Sequence, residues 1–323
     1  MLATRIRRCF LFLCLLAGSV PAVHAQDFPN RTIRIIAPFA AGSVSDLIAR
    51  AVASGMTGNL GQPVIVENRT GASGLVAYEF VAKQAPADGY TLALGSASLT
   101  SHRAFTLSDR FDALKDLPPI TILAEFVQML AVPASSGWKS LDDLIAYAKA
   151  NPGKLNFGTP GLQTPQTLVA ELIKQKFQID VVVVPYRGGG GEISSAVLSN
   201  QVQFAVFVES MAQTAGEKVR LLGVSGPRRL VAYPTVPLFS ELGLPEISSV
   251  HNTLNARANT PKAVVDKLYA AAKSALDMPD IRSGLTKLGL YPVGSDPDSS
   301  YKTIETVMNA NADIARRAGI RPQ

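Results

Sequence analysis

The chain has 323 residues, of which 47% are hydrophobic and 17% charged, and its formal net charge is +6. This length favours two domains, and this composition excludes a disordered, collagen-like or disulfide-stapled chain. Arg5, Arg7 and Arg8 supply three of the 31 basic residues and the first 25 residues contain no acid, so the remainder carries +3. No basic run survives there, which argues against a nucleic-acid partner.

The first 25 residues have the regions of an export signal. The basic start precedes an apolar run from Cys9 to Ala17, and Val23–Ala25 gives the small-x-small pattern of a cleavage site. The apolar run is shorter than the roughly 20 residues of a membrane span. We therefore expect cleavage before Gln26. Both cysteines lie in this segment, so we expect a mature chain without thiols for disulfides, nucleophiles or metal sites.

Strands and helices alternate in the first third of the remaining chain. The predicted elements are a strand at Thr32–Ala37, a helix at about Ser45–Met56, a strand at Pro63–Glu67, a helix near Leu75–Gln84 and a strand at Tyr90–Leu94. Ser43 and Asp46 form a Ser-x-x-Asp capping pattern in front of the first helix.

The same alternation continues through the middle of the chain. The predicted elements are Leu141–Ala150 (helix), Leu155–Phe157 (strand), Pro165–Phe177 (helix), Val181–Val184 (strand), Glu192–Leu198 (helix), Phe204–Phe207 (strand), Ser210–Gly216 (helix) and Leu221–Val224 (strand). Ser140 and Asp143 form a second cap, and Thr164 is a good N-cap before Pro165. The strand Val181–Val184 consists of four valines, which is typical of a strand buried on both faces. A further helix begins at Thr260-Pro261, and the whole pattern predicts an α/β fold with doubly wound sheets.

Five loops that follow predicted strands are rich in small residues. They are Phe39–Ser43, Gly95–Ser101, Gly158–Thr164, Tyr186–Gly191 and Phe207–Ser210. In doubly wound sheets, ligands bind beyond the carboxyl ends of the strands. Small residues let a ligand approach main-chain N–H groups, and a helix N-terminus adds partial positive charge. The loops therefore indicate an anion-binding cleft, although ordinary tight turns would also use such residues.

The motifs of the common enzyme classes are missing from the sequence. His102 and His251 are too isolated for a metal site, and there is no nucleophile elbow, phosphate loop or dinucleotide fingerprint. Ser136–Lys139 matches Ser-x-x-Lys only as a chance-level pattern. Arg187 lies beside four glycines and could hold a carboxylate bidentately. We expect no catalytic residue, metal or cofactor, with a secreted α/β hydrolase as the less favoured alternative.

Six segments carry a resemblance to a known family. They are Pro29–Gly42, Leu60–Gly74, Pro86–Ser96, Asn151–Gly161, Val184–Gly190 and Pro234–Pro245. Together they resemble the tripartite tricarboxylate transporter substrate-binding proteins, also called the Bug family. The resemblance implies a two-lobed periplasmic binding protein fold of the type II-like kind, with two doubly wound sheets joined by a hinge. It also implies a discontinuous first domain of residues 26–127 and 247–323 and a second domain of residues 128–246.

The resemblance further implies how a ligand is held. Family members capture organic carboxylates largely through main-chain groups and ordered waters of facing loops. The corresponding ligand-binding residues are Phe39, Ala40, Ala41, Gly42, Ser43, Ser96 and Ala97 on one side, and Thr159, Pro160, Gly161, Thr164, Tyr186, Gly188 and Gly189 on the other, with Glu209 next to the distal end of the ligand. Val44 and Leu162 depart from the family pattern, which favours an aromatic or otherwise apolar-bodied carboxylate.

The expected mechanism is capture by closure of the hinge. The family's partner is a membrane permease pair, and a sensor that presents its closed form to a membrane kinase stays open as an alternative. We expect a monomer in the periplasm. Replacing Gly42 by proline, which removes a main-chain N–H group, is expected to weaken anion binding.

Overall fold

The computed structural model describes residues 28–105, 111–186, 189–226, 228–244, 249–317 and 319–320. The predicted export signal lies outside the described residues, as do Arg187 and Gly188 of the predicted cleft. Across the described ranges, no helix combines the length and the apolar content that a membrane crossing needs.

Strands and helices alternate along the described chain. The strands are β1 (Ile33–Ala37), β2 (Val64–Asn68), β3 (Thr91–Gly95), β4 (Pro119–Phe126), β5 (Met129–Pro133), β6 (Leu155–Thr159), β7 (Val181–Pro185), β8 (Phe204–Phe207), β9 (Val219–Val224), β10 (Val250–Asn255) and β11 (Tyr291–Pro292). The α-helices are α1 (Val44–Leu60), α2 (Leu75–Glu79), α3 (Ala97–Phe105), α4 (Ala113–Asp116), α5 (Leu141–Ala150), α6 (Pro165–Phe177), α7 (Gly190–Leu198), α8 (Glu209–Ala215), α9 (Lys262–Asp277), α10 (Pro279–Lys287) and α11 (Pro297–Arg317). Helix α2 continues as a π-helical segment over Phe80–Gln84, so the single helix predicted there spans both.

The strands form two mixed sheets. The first has the order β11-β4-β10-β3-β1-β2 and the second the order β7-β6-β8-β5-β9. In the first sheet β1 is parallel to β2 and β3, whereas β10 is antiparallel to β3 and β4. In the second sheet β6 is parallel to β7 and β8, whereas β5 is antiparallel to β8 and β9. Each sheet therefore extends a parallel part with antiparallel strands.

Helices cover both faces of the first sheet. Successive side chains of a strand point to opposite faces. On one face Ile35 packs in a core with Val52 of α1 and Leu268 of α9. On the other face Ile36 packs in a core with Tyr78 of α2. Met308 of α11 belongs to that second core as well.

The second sheet is covered in the same way. Leu130 of β5 packs with Leu144 of α5 and Ile173 of α6. The neighbouring Met129 points to the opposite face and packs with Val197 of α7 and Ala212 of α8. Both sheets are thus doubly wound, and the predicted α/β fold class with two lobes is confirmed.

Two adjacent chain crossings connect the sheets. Residues 127–128 lead from β4 into β5, and the chain leaves β9 at Val224 before it reaches β10. The main-chain N–H of Gln128 donates to Ser225 Oγ at 2.8 Å, and the N–H of Ser225 donates to the Gln128 carbonyl at 2.8 Å. Two hydrogen bonds therefore link the two crossings to each other. The domain boundary predicted between residues 127 and 128 falls at this point and stays a prediction, and the one between 246 and 247 lies outside the described residues.

The valine-rich strand is not buried on both faces. β7 pairs with β6 alone among the described strands, so it forms an edge of the second sheet. Val181 is buried, but Val182 is 47% exposed. The prediction was wrong because a run of valines is equally compatible with an edge strand whose second face meets solvent.

The helix caps follow the sequence closely, with one exception. Ser43 Oγ accepts from the N–H of Asp46, and Ser140 and Asp143 form both bonds of a capping box. Thr164 occupies the N-cap position of α6 with an extended backbone, but its side chain makes no capping bond. Its hydroxyl donates instead to the carbonyl of Gly161 at 2.8 Å.

Candidate functional site

A cavity lies between the two sheets. It encloses about 720 Å³ of space free of protein atoms, open solvent at its mouth included. From the first sheet and its helices it is lined by Phe39, Ala40, Ser43, Val44, Ser45, Ser96, Ala97, Phe126 and Asn252. From the second it is lined by Pro160, Thr164, Gln166, Gly189, Gly190, Ile193, Val206, Val208 and Met211. Among the described residues, none of the lining side chains is charged.

Four helices begin at this cavity. Val44 starts α1, Ala97 starts α3 and Gly190 starts α7, and all three line it. Gln166, the second residue of α6, also lines it, after Pro165, which has no N–H group. The first N–H groups of a helix lack an intrahelical acceptor and carry partial positive charge. These helix ends therefore suit the cavity to an anion, although the described part of its lining has no cationic side chain.

Asp46 holds the first loop in place. Its carboxylate is 2% exposed and accepts from the N–H of Gly42 at 2.9 Å, from Arg50 Nε at 2.9 Å and from Asn68 Nδ2 at 2.8 Å. Burial acts to raise the pKa of Asp46, but the hydrogen bonds from Arg50, Gly42 and Asn68 outweigh it and hold the pKa below its ordinary value. The N–H of Gly42 is thus already used. Its loss in a proline variant would remove this bond and disturb the loop, and the weakening of anion binding stays a prediction.

A buried hydroxyl cluster positions Ser96. Tyr78 is 1% exposed, and its hydroxyl lies 2.7 Å from Ser96 Oγ and 3.2 Å from Ser98 Oγ. The N–H of Ser96 donates to the same tyrosine oxygen at 3.2 Å. Burial raises the pKa of Tyr78, so it stays a neutral donor and acceptor. The cluster therefore holds Ser96, the residue that precedes α3, in place.

A second hydroxyl cluster shapes the facing loop. The hydroxyls of Thr159, Thr164 and Thr167 all donate to the carbonyl of Gly161, at 3.0, 2.8 and 2.8 Å. The N–H of Tyr186 donates to the Thr159 carbonyl at 2.8 Å. These bonds give each of the three buried threonine hydroxyls an acceptor, and they hold the loop around the Gly161 carbonyl.

The loops of the two sheets touch each other beside the cavity. Ser101 Oγ of α3 donates to the carbonyl of Gln163 at 3.0 Å. Gly161 lies so close to Ser73 that a Cβ atom on the glycine would approach Ser73 Oγ to 2.6 Å. A side chain at position 161 would therefore force these loops apart.

Glu209 makes a further contact between the sheets. It begins α8, is 6% exposed and accepts from the hydroxyl of Tyr291 in β11 at 2.7 Å and from Gln213 Nε2 at 3.3 Å. Burial and the neighbouring Glu209 carboxylate raise the pKa of Tyr291 to about 12. We call this pair the Glu209–Tyr291 contact.

The structure brings eight of the predicted ligand-binding residues to the cavity. They are Phe39, Ala40, Ser43, Ser96, Ala97, Pro160, Thr164 and Gly189. Ala41, Gly42, Thr159, Gly161, Tyr186 and Glu209 do not line it, and Gly188 lies outside the described residues. Of the six, Gly42, Thr159 and Gly161 support lining loops, and Glu209 faces β11.

Of the two residues expected to make the pocket less polar, Val44 lines the cavity, whereas Leu162 is 52% exposed and does not. Sequence reasoning missed the other residues of the apolar wall and two amide side chains. Phe126, Ile193, Val206, Val208 and Met211 form most of that wall. The amides are Gln166 and Asn252. Gln166 could have been found, since it is the second residue of a predicted helix that starts at the cleft. Asn252 lies on a strand that no hydrophobic pattern marks.

Two residues considered for chemistry have structural roles. Ser136 Oγ donates to the Pro133 carbonyl at 2.7 Å and accepts from the N–H of Trp138 at 3.3 Å, which stabilises a turn. His102 is 7% exposed and packs edge-on against Phe111, with 5.1 Å between the ring centroids. Burial lowers the pKa of His102.

Comparison with known proteins identifies relatives of the whole fold. The sequence model of the tripartite tricarboxylate transporter family receptors matches residues 48–320. A UPF0065 protein in the gbd 5′ region of Cupriavidus necator is 37% identical over 279 residues, which cover 86% of this chain and 84% of that protein. An R. palustris protein solved with adipate has a TM-score of 0.83 at 27% identity, covering 92% of this chain and 100% of its own. MatC from Rhodopseudomonas palustris, solved with malate, has a TM-score of 0.82 at 29% identity, covering 89% and 100%.

Proposed function

Because this chain belongs to the tripartite tricarboxylate transporter receptor family, we propose that it is a periplasmic receptor that captures a small organic carboxylate in the cavity between its sheets. The observation that carries this proposal is the meeting of four helix N-termini at one cavity. Adipate and malate, found in two similar structures, are ligands of the same chemical class.

A carboxylate here would be held by main-chain N–H groups and hydroxyls. Val44, Ala97 and Gly190 offer the N–H groups, and Ser43 and Ser96 offer hydroxyls. A hydrogen bond to a charged group contributes about 1.5–3 kcal/mol net. A few such bonds would support binding in the micromolar range, which corresponds to roughly 8 kcal/mol.

The proposed capture step is closure of the two lobes around the ligand. An anion that contacts both sets of loops favours the closed form through its differential affinity. The bond from Ser101 to the Gln163 carbonyl would then help to hold the closed form. The liganded receptor would deliver its cargo to the membrane permease pair of its transporter.

A thermal-shift panel tests ligand capture. The chain starting at Gln26 is unfolded with butyrate, benzoate, adipate or malate at several concentrations, and a ligand that binds the native state raises Tm by mass action. Replacing Ala97 by phenylalanine fills the cavity and is expected to abolish the shift. The matched control is Ala146→Phe, on the exposed face of α5 away from the cavity, which should keep it. A shift that survives in Ala97→Phe would place the ligand elsewhere.

A further inference from the structure

Two amide side chains at the cavity have unpaired oxygens. Asn252 of β10 is 1% exposed, and its Oδ1 has no hydrogen-bond partner in the described protein. Gln166 of α6 is 8% exposed, and its Oε1 is likewise unpartnered. Both residues line the cavity, one from each sheet. Nearly all buried polar atoms of native proteins are paired, so each of these oxygens is an acceptor left to be satisfied, and both belong to residues that line the cavity.

The orientation of the Asn252 amide is fixed by its neighbour. Its Nδ2 donates to the main-chain carbonyl of Gly95 at 3.4 Å. Rotating the amide by half a turn would set Oδ1 against that carbonyl, and two acceptors would then face each other. Asn252 therefore offers an unpaired acceptor rather than a donor.

The rest of the wall limits what that donor can be. Phe126, Val208 and Met211 make part of the cavity apolar, and the described lining has no acidic or basic side chain. A ligand ammonium group would be buried without a carboxylate beside it, which is costly. A second carboxylate would lose its hydration against the apolar wall. A neutral hydroxyl group carries no charge, so its burial avoids both the cost of an unpaired ammonium group and the cost of a desolvated carboxylate.

We propose that the cavity selects monocarboxylates with an apolar body and a hydroxyl group, and that Asn252 is the residue that recognises the hydroxyl. This inference rests on the proposed function, since the helix N-termini hold the carboxylate. The apolar wall takes the body of the ligand, and the hydroxyl hydrogen is donated to Asn252 Oδ1. Gln166 Oε1 supplies a second acceptor on the opposite side.

Calorimetry with matched acids tests the inference. Benzoate and butyrate are compared with their singly hydroxylated isomers, and adipate serves as the dicarboxylate. In the unmodified protein, at least one hydroxylated isomer should bind about tenfold tighter than its parent acid, because it pairs an otherwise unsatisfied acceptor. Adipate should bind more weakly than that isomer.

The variant Asn252→Leu keeps the branched shape of the side chain in a larger volume, and it removes both the acceptor and the bond to the Gly95 carbonyl. It should bring the ratio between the affinities for the hydroxylated and the parent acid close to one. Equal affinities for parent and hydroxylated acids in the unmodified protein would overturn the inference, as would an unchanged ratio in the variant or a preference for adipate. If the variant does not fold, the affinities of the unmodified protein for parent and hydroxylated acids alone test the inference. Binding of none of these acids would instead refute the proposed function.

Discussion

The carboxylate of Asp46 is expected to control both stability and ligand affinity, because it joins the first loop to α1 and β2. Asp46→Asn keeps the size of the side chain but removes the charge. The three donors around the carboxylate come from Gly42, Arg50 and Asn68. An amide has one acceptor oxygen, so its NH2 group would face at least one of these donors.

The size of the effect follows from that arrangement. Losing one hydrogen bond to a charged acceptor costs about 1.5–3 kcal/mol, and a misplaced donor adds to it. The Arg50 side chain is 51% exposed, so solvent screens its part of the interaction. We therefore expect the free energy of unfolding to fall by about 2–3 kcal/mol. Affinity for a carboxylate that shifts Tm should fall about tenfold or more, because the loop Phe39–Ser43 carries cavity residues.

Urea unfolding followed by circular dichroism gives the stability, and calorimetry gives the affinity. The matched control is Asp143→Asn, whose carboxylate caps α5 away from the cavity and accepts from the N–H groups of Lys139 and Ser140. This control should lose some stability and keep the full affinity. Unchanged stability and affinity in Asp46→Asn would refute the view that this carboxylate organises the loop.

Two further predictions concern the fold. The raised pKa of Tyr291, about 12, means that the folded protein keeps this proton after the unfolded chain has lost it, so stability should decline as pH rises from the ordinary tyrosine range near 10 towards 12. Tyr291→Phe should make that decline shallower in urea titrations, and the raised pKa values of Tyr78 and Tyr233 account for what remains. An equally steep decline would contradict the assigned contact with Glu209. At the edge strand, Val182→Thr should change the free energy of unfolding by less than about 0.5 kcal/mol, whereas Val181→Thr buries a hydroxyl and should cost about 1–3 kcal/mol. Equal costs would show that β7 is covered on both faces.

Local signals in the sequence predicted local structure well. The Ser140–Asp143 capping box needs only residues three apart, and both of its bonds form. The small-residue loops after β1, β3 and β6 also contribute to the cavity, since the carboxyl ends of neighbouring parallel strands share one edge of a sheet.

Features that depend on distant partners could not be predicted in this way. β10 is buried throughout although His251, Asn252, Thr253 and Asn255 are polar, because it lies between β3 and β4. No hydropathy pattern marks such a strand. Glu209 contacts Tyr291, which lies 82 residues further along the chain, and no local pattern reveals which neighbour its side chain meets.

The last helix belongs to both halves of the molecule. Met308 of α11 packs in a core of the first sheet, and Ile314 and Ala315 are buried in a core of the second. The six residue steps from Met308 to Ile314 span about 9 Å of helix axis. The hinge closure proposed above would have to bend this helix or pull it out of one of the two cores, so the helix would oppose a wide opening of the lobes.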